Sequence, residues 1–284
     1  MIKKLCIVGV GLIGGSLALA LKKHAYVQTV VGIGRDAKRL AAAQAAGIID
    51  IATDDYAQCQ DADVILVAVP LGAFENVFAQ IKPYLTPDTV LTDAGSAKAC
   101  VVNIAQRVFG HVPENFVPGH PIAGTEKSGF SAAFAELYLN RRVVLTPVTR
   151  TADWARARVQ AMWQAAGAVV EVTTVEHHDL VLAETSHLPH ILAFGLVDSL
   201  AKQKDAQEIF RFAAGGFRDF TRIAASDPVM WRDICLYNRD AILQALKAYE
   251  SDLSELHAAI EKGDGDSLEI IFARAKAVRE QFNF

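Results

Sequence analysis

The sequence predicts an α/β domain with a parallel, doubly wound sheet over residues 1–173, followed by an all-α domain over residues 174–284. Three observations support this prediction. A glycine-rich turn directly follows an apolar strand at the start of the chain. Strand and helix patterns then alternate as far as Val172. From Val175 onward the strand signals stop and only helical periodicity continues.

Composition and charge limit the class of protein before any motif is considered. Hydrophobic residues make up 52% of the 284 residues, which predicts a globular protein with a sizeable core. A net charge of −4 without a dense basic cluster gives no surface for nucleic acid. The four cysteines form no CxxC pair, which is typical of reduced thiols in the cytoplasm. Glycines interrupt the apolar start of the chain, and no unbroken apolar stretch is long enough for a bilayer, so we expect a soluble cytoplasmic protein.

The first element is an apolar strand over residues 5–8, which runs into the turn Gly9-Val10-Gly11-Leu12-Ile13-Gly14. Gly9 permits the tight turn, Gly11 allows the backbone to approach a pyrophosphate, and Gly14 allows close helix–strand packing. The following helix, expected over residues 16–23, offers free N–H groups and a positive dipole end to phosphates. This context predicts a Rossmann-type cofactor site formed by Gly9, Gly11, Leu12, Ile13 and Gly14. The alternative is a glycine-rich turn that binds nothing.

Further strands are predicted over residues 27–33, 62–69 and 90–92, with helical segments between them. This alternation indicates parallel strands, whose carboxyl ends meet at the ligand-binding edge of such a sheet. The third of the four strands ends at that edge with Val69 and Pro70, and we expect both residues to contact the cofactor.

The end of the second strand bears on the choice of cofactor. NAD-binding sites place an acidic residue there for the ribose, whereas an arginine accommodates the 2′-phosphate of NADP. This chain has Gly34 at that position, followed by Arg35, which favours NADP. NAD is the alternative, if Asp36 serves the ribose or Arg35 is only a surface charge.

Two segments after the sheet strands carry groups suited to chemistry. Ser96 follows a strand, where it can donate a hydrogen bond to a substrate with support from Lys98, or instead cap the next helix. His120 follows a short strand over residues 116–117, and Pro121 holds it extended. An imidazole titrates near neutrality and takes a proton from a hydroxyl as hydride leaves the carbon. A lone histidine is usually structural, but its glycine neighbours leave room for a ligand, which favours a dehydrogenase base.

More strands are predicted over residues 142–146 and 168–172, around a helix over residues 153–165, and they complete the first domain. The histidines that follow do not form a metal site, because no HExxH pattern is present. His178 and His187 are also about half a helical turn out of phase, so we expect them to face opposite ways. Pro189 is expected to bend the helix and turn His190 toward the cleft.

Later in the second half, the sequence predicts a turn that carries arginines and then a long helix. Residues 215–222 join two helices, and a guanidinium in this segment is suited to clamping a carboxylate, or to pairing at the surface with Asp219 or Asp227. Asp227 and Pro228 are expected to start one long helix whose apolar positions continue to Ile260. A helix of that length indicates burial against a partner, such as a second subunit.

These motifs together resemble the prephenate/arogenate (cyclohexadienyl) dehydrogenases of tyrosine biosynthesis. The resemblance spans nearly the whole chain and is carried, in order, by residues 9–15, 93–96, 119–126, 186–190 and 217–224. It implies an α/β nucleotide-binding domain, a helical dimerisation domain and a homodimer. It also implies oxidative decarboxylation of a cyclohexadienol, with hydride passing to NAD or NADP.

The resemblance also implies roles for individual residues. His120 takes the proton of the ring hydroxyl, and Ser96 orients that hydroxyl. His190 and Arg222 hold substrate carboxylate, and Trp231 approaches from its own or a partner chain. The remaining pocket residues implied by the resemblance are Thr125, Glu126 and His178.

The side chain of the substrate is left open by the sequence. His190 suits a keto acid, so prephenate, or both prephenate and arogenate, is favoured over arogenate alone. Two other classes stay as alternatives: a β-hydroxyacid or imine-type dehydrogenase, which would need a lysine in the helical half, and an NADP-binding sensor without activity.

Overall fold

The computed structural model describes residues 1–125 and 127–282. The chain divides into two compact units, residues 1–239 and 240–284. The domain boundary predicted after residue 173 lies inside the first of these units and stays a prediction. At that point of the chain the strands end and only helices follow.

The main sheet of the first unit has six parallel strands, which confirms the predicted doubly wound architecture. Their order is β3-β2-β1-β4-β5-β6, the arrangement of a Rossmann-type sheet. The short third strand was not predicted. The strands are β1 (Ile2–Val8), β2 (Val27–Ile33), β3 (Ile51–Thr53), β4 (Val64–Val67), β5 (Val90–Asp93) and β6 (Phe116–Val117).

A second sheet of three strands carries the central histidine. It consists of β7 (Gly119–Pro121), β8 (Arg142–Leu145) and β9 (Val169–Val172). β7 runs antiparallel to β8, and His120 lies opposite Val144. The sequence predicted the strands over residues 142–146 and 168–172, but not that they form a separate sheet. The extended conformation expected of His120 is confirmed.

Helices cover the sheet and make up the rest of the first unit. The helices are α1 (Leu12–Lys23), α2 (Ala37–Ala45), α3 (Phe74–Ile81), α4 (Lys98–Phe109), α5 (Asp153–Ala165), α6 (Val175–Leu182), α7 (Leu188–Ala201), α8 (Ala206–Arg211), α9 (Gly215–Thr221) and α10 (Pro228–Tyr237). α1 begins at Leu12, earlier than expected, because the last glycines of the turn are already helical. A Cβ on Gly14 would lie 2.6 Å from a side-chain carbon of Ile7, so the close helix–strand packing predicted for this glycine is confirmed.

A π-helical segment, Ala183–His187, joins α6 to α7. By length and composition the resulting helix Val175–Ala201 could cross a membrane, contrary to the expectation that no segment would be long enough. Its buried residues include His178, Asp179 and His187. Such groups are costly in lipid and belong to a protein interior or a polar cavity.

The long helix predicted from Pro228 is broken at Asn238. Asp227 caps α10 through the Met230 amide at 2.8 Å, as expected. Asn238 then leaves helical geometry, and its side chain turns into the unit interior. α11 (Arg239–Lys262) follows after this break and α12 (Gly265–Gln281) after a short turn, and together they form nearly all of the second unit. The sequence missed the break because the apolar periodicity continues across it.

Candidate active site

The glycine turn at the carboxyl end of β1 has the shape of a dinucleotide site. Gly9 has φ +99°, and a Cβ there would lie 2.4 Å from the carbonyl oxygen of Ala68. Gly11 faces open space, where a Cβ would meet no atom within 4 Å. The first-turn N–H groups of α1, including those of Leu12 and Ile13, have no intrahelical acceptor. The residues present therefore fit a bound pyrophosphate.

Val69 and Pro70 follow β4 beside this turn. A Cβ on Gly9 would approach a methyl carbon of Val69 to 2.9 Å, so Val69 packs directly against the glycine turn. Pro70 is exposed at the same end of the strand. The structure therefore brings both predicted residues to the edge at which the cofactor is expected.

Arg35 is exposed directly after β2 and Gly34. The neighbouring Asp36 is engaged by α2, since its Oδ1 accepts the Arg39 amide at 3.0 Å and its Oδ2 lies 3.4 Å from Arg39 Nε. An aspartate that caps a helix in this way is less available to a ribose hydroxyl.

His120 contacts His178, which in turn contacts Asp179. Nδ1 of His120 lies 2.9 Å from Nε2 of His178. Nδ1 of His178 lies 2.7 Å from Oδ1 of Asp179. The structure therefore brings together two residues that the sequence singled out, and adds a third that it missed.

Burial lowers the pKa of His120 well below its ordinary value, and the positive charge of Lys98 adds to this effect. Burial also lowers the pKa of His178, against a hydrogen bond to Asp179 that raises it. Burial of Asp179 acts to raise its pKa, but hydrogen bonds from His178 and two backbone amides outweigh it, so the pKa is lowered. At neutral pH the site therefore holds two neutral imidazoles and one carboxylate.

A buried ion pair fixes the backbone on which His120 lies. Lys98 Nζ bonds the carboxylate of Asp93, and both side chains are fully buried. Lys98 Nζ also donates to the carbonyl of Gly119 at 2.7 Å, and Asp93 Oδ1 accepts the Gly119 amide at 3.0 Å. The backbone N–H and carbonyl of Gly119, the residue before His120, are thus both held by the Asp93–Lys98 pair.

Ser96 is half-buried between β5 and α4. It does not cap α4, because Ala97 occupies the N-cap position without a side-chain hydrogen bond. Asp179 caps the helix instead, accepting the amides of Lys98 and Ala99 at 2.8 Å each. The alternative role weighed for Ser96 is therefore wrong, because the capping group comes from a distant part of the chain.

His178 and His187 are both buried on the inner side of the helix, so the expectation that they face opposite ways is wrong. The π-helical segment between them takes up more residues per turn than an α-helix and changes the phase. Asn238 connects His187 to the residue after His178, since its Nδ2 lies 2.9 Å from the Asp179 carbonyl oxygen and 3.1 Å from Nδ1 of His187. Asn238 carried no sequence signal of this role.

His190 stacks on Trp231 of the same chain, with ring centroids 3.7 Å apart. Its Nδ1 donates to the carbonyl of Ser186 at 2.8 Å. Burial lowers the pKa of His190, and Arg222 is close enough to lower it further. His190 and Arg222, expected to hold substrate carboxylate, therefore lie close together, and Trp231, expected to approach the site, lies against His190. Among the described residues, the buried ring N–H groups of Trp231 and His187 have no hydrogen-bond partner, so acceptor oxygens of a ligand fit there.

Thr125 lies in the exposed loop after β7, where its hydroxyl accepts the Lys127 amide at 3.2 Å. Among the described residues, the hydrogen bonds of Thr125 are with Lys127 and not with His120. Glu126, also expected in the pocket, lies outside them. Within residues 1–125 and 127–282, no cluster of three or more His, Cys, Asp or Glu side chains is placed to hold a metal ion.

A dinucleotide-binding sheet whose edge adjoins a half-buried neutral histidine defines the class of nicotinamide-dependent oxidoreductases. Residues 17–172 match the family "Prephenate dehydrogenase, nucleotide-binding domain", and residues 174–274 match "Prephenate dehydrogenase, dimerization domain". The chain belongs to the prephenate dehydrogenase family.

Relatives and solved structures agree with this assignment. The cyclohexadienyl dehydrogenase of Zymomonas mobilis is 38% identical over 98% of this chain and 95% of its own length. The prephenate dehydrogenase of Aquifex aeolicus has been solved with hydroxyphenyl propionate and NAD+. It is 35% identical to this chain, the match covers 100% of this chain and 99% of the Aquifex chain, and the TM-score is 0.93. The arogenate dehydrogenase of Synechocystis is 27% identical over 99% and 100% of the two chains, with a TM-score of 0.83.

Proposed function

We propose that this protein catalyses the oxidative decarboxylation of prephenate, and also of arogenate, with NADP as the preferred hydride acceptor. The observation that carries this proposal is a neutral His120 whose Nδ1 is occupied by His178, so that Nε2 is left as the basic atom beside the cofactor edge. The family assignment supplies the substrate class.

The bound nicotinamide dinucleotide supplies the acceptor for hydride from the hydroxyl-bearing ring carbon. His120 holds the hydroxyl proton at Nε2 while that carbon becomes a carbonyl. The bond from the opposite ring carbon to its carboxyl group then breaks, and its electron pair aromatises the ring. His120 returns the proton to the ring oxygen as carbon dioxide leaves, so no net proton is consumed.

The other site residues bind and orient the substrate. Ser96 donates to the ring hydroxyl, which aligns it with His120. Arg222 and His190 hold substrate carboxylate, which is supported by the effect of Arg222 on the pKa of His190. Trp231 approaches the site from the side on which its ring stacks on His190. Thr125, Glu126 and His178 complete the pocket.

Cofactor preference is argued from the end of β2. Arg35 is exposed after a glycine, and the acid that follows it, Asp36, is held by α2, which favours a 2′-phosphate over a free ribose hydroxyl. The cofactor contacts proposed for the turn are those of Gly9, Gly11, Leu12, Ile13 and Gly14.

We also propose a cytoplasmic homodimer, with a nucleotide-binding domain over residues 1–173 and a dimerisation domain over residues 174–284. The exposed apolar side chains of α11 and α12 are consistent with burial against a second copy; they include Leu253, Ile260, Ile270 and Phe272.

Steady-state rates with prephenate and arogenate, each with NAD and NADP, test the proposal. We expect turnover of prephenate, slower or equal turnover of arogenate, and a higher kcat/KM with NADP. A large preference for arogenate would overturn the substrate assignment, and equal rates with both cofactors would overturn the NADP preference.

A further inference from the structure

Two side chains, those of Asp179 and His178, connect the amino end of α4 to His120. Asp179 accepts two backbone amides of α4, each at 2.8 Å, so its carboxylate is held at both oxygens. The same carboxylate lies 2.7 Å from Nδ1 of His178. Nε2 of His178 then lies 2.9 Å from Nδ1 of His120. In this hydrogen-bonded series, each ring nitrogen of His178 and His120 has one partner among the described residues, except Nε2 of His120.

The position of each hydrogen follows from this order. An ionised carboxylate can only accept, so Nδ1 of His178 carries the hydrogen that it donates to Asp179. The pKa of His178 is lowered chiefly by burial, so the ring is neutral and its Nε2 has a lone pair. A lone pair can only accept, so Nδ1 of His120 carries a hydrogen. Nε2 of His120 is therefore the nitrogen without one.

We propose that His178 and Asp179 are positioning residues that fix His120 in its Nδ1–H tautomer and direct its Nε2 lone pair to the substrate hydroxyl. The part that concerns the hydroxyl rests on the proposed function, whereas the tautomer is a property of the protein without ligand. When His120 holds a proton, the hydrogen bond to His178 becomes charge-assisted, and the carboxylate behind His178 stabilises the positive charge.

The anchoring of Asp179 makes this arrangement rigid. The two backbone amides that donate hydrogen bonds to Asp179 are at the positive end of the α4 dipole, which favours a carboxylate there. The backbone carbonyl of Asp179 accepts a further hydrogen bond from Asn238 at 2.9 Å. Because α4 begins at Lys98, which also bonds the Gly119 carbonyl, one helix end positions both the backbone and the ring of His120.

The test compares two substitutions of His178. In His178→Gln the amide oxygen can reach the place of Nε2 and accept from His120, whereas His178→Leu offers no acceptor. The exposed neighbour provides the control, His177→Leu. Nitrogen–proton correlation spectra of the ligand-free protein report the tautomers of its eight histidines, and the signal lost in His120→Asn assigns His120.

We expect the wild type, His178→Gln and His177→Leu to show His120 as the Nδ1–H tautomer, and His178→Leu to shift it toward Nε2–H. In His178→Leu we expect kcat to fall by about 10²-fold with KM unchanged, and His178→Gln to restore most of it. A wild-type His120 in the Nε2–H tautomer, or equal kcat in the two His178 variants, would overturn the inference. Failure of the wild type to turn over prephenate or arogenate would instead overturn the proposed function, and the spectra would still decide the tautomer.

Discussion

The carboxylate of Asp179 lies 2.8 Å from the amide nitrogen of Lys98, 81 positions earlier in the chain. This hydrogen bond joins the first helical turn of the second half to the helix that follows β5. It holds α6, which carries His178, at the start of α4, and Lys98 at that start also bonds the carbonyl of Gly119, the residue before His120. The two histidines therefore lie side by side. The site is thus built across the two halves of the sequence.

Replacing the base should abolish turnover without loss of cofactor binding. His120→Asn keeps a polar side chain but removes the basic nitrogen, so we expect kcat to fall by about 10²- to 10⁴-fold. The glycine turn is untouched, and cofactor affinity, measured by fluorescence titration, should not change. Retained turnover would exclude His120 as the base, and a protein that binds NADP but never turns over would support the sensor alternative.

The acid limb of the pH–rate profile reports the state of His120. Burial, together with the positive charge of Lys98, lowers the pKa of His120 well below 6.5. The base is active when neutral, so we expect kcat/KM to stay level as the pH falls through 6.5 and to decline only below it. An acid limb centred at or above 6.5 would show that His120 is not the group that titrates.

Cofactor preference should depend on Arg35. Loss of a charged hydrogen bond to phosphate costs about 1.5–3 kcal/mol, so Arg35→Ala should lower kcat/KM with NADP by about 10- to 100-fold. The rate with NAD should be unchanged, because no phosphate is then present to bind. Arg150→Ala, at an exposed arginine paired with Glu114, serves as the control. An equal loss with both cofactors would contradict recognition of the 2′-phosphate by Arg35.

Acid should destabilise the fold through His187. Burial lowers its pKa from 6.5 to about 4. Between these values the unfolded state binds more protons than the folded state, so stability falls as the pH is lowered through this window. Each pH unit costs about 1.4 kcal/mol from this group. Urea unfolding should therefore show a shallower loss between pH 6.5 and 4 for His187→Asn than for the wild type, and parallel curves would contradict the prediction.

The buried pair beneath His120 should matter far more than a surface pair. Lys98→Met leaves Asp93 charged and unpaired in the interior, which we expect to cost about 3–5 kcal/mol of unfolding free energy. Lys23→Met is the matched control, because Lys23 pairs with Glu136 at the surface and its loss should cost at most about 1 kcal/mol. Similar losses in both variants, measured by urea denaturation, would show that the buried pair is not a structural anchor.

The sequence predicted most of the sheet because its signals are local. The glycine turn, the apolar strands and the helix at Asp153 are each determined by neighbouring residues, and they lie where they were expected. The helix break at Asn238 and the π-helical turn before Leu188 were missed. At the break, the side chain of Asn238 bonds the Asp179 carbonyl and contacts His187, and residue periodicity carries no signal of such distant partners.

By itself, the sequence determined the fold class, the cofactor turn and the histidine expected to act as base, since each rests on residue types at short spacings. The tertiary structure alone decided how that base is held. Asp179 follows His178 directly in the chain, yet its function depends on the amides of α4, and the Asp93–Lys98 pair acts on Gly119 through space. Hydrogen-bond partners that are far apart in the sequence produce no recognisable sequence pattern. Only the folded chain therefore shows which ring nitrogen of His120 has a hydrogen-bond partner and which does not.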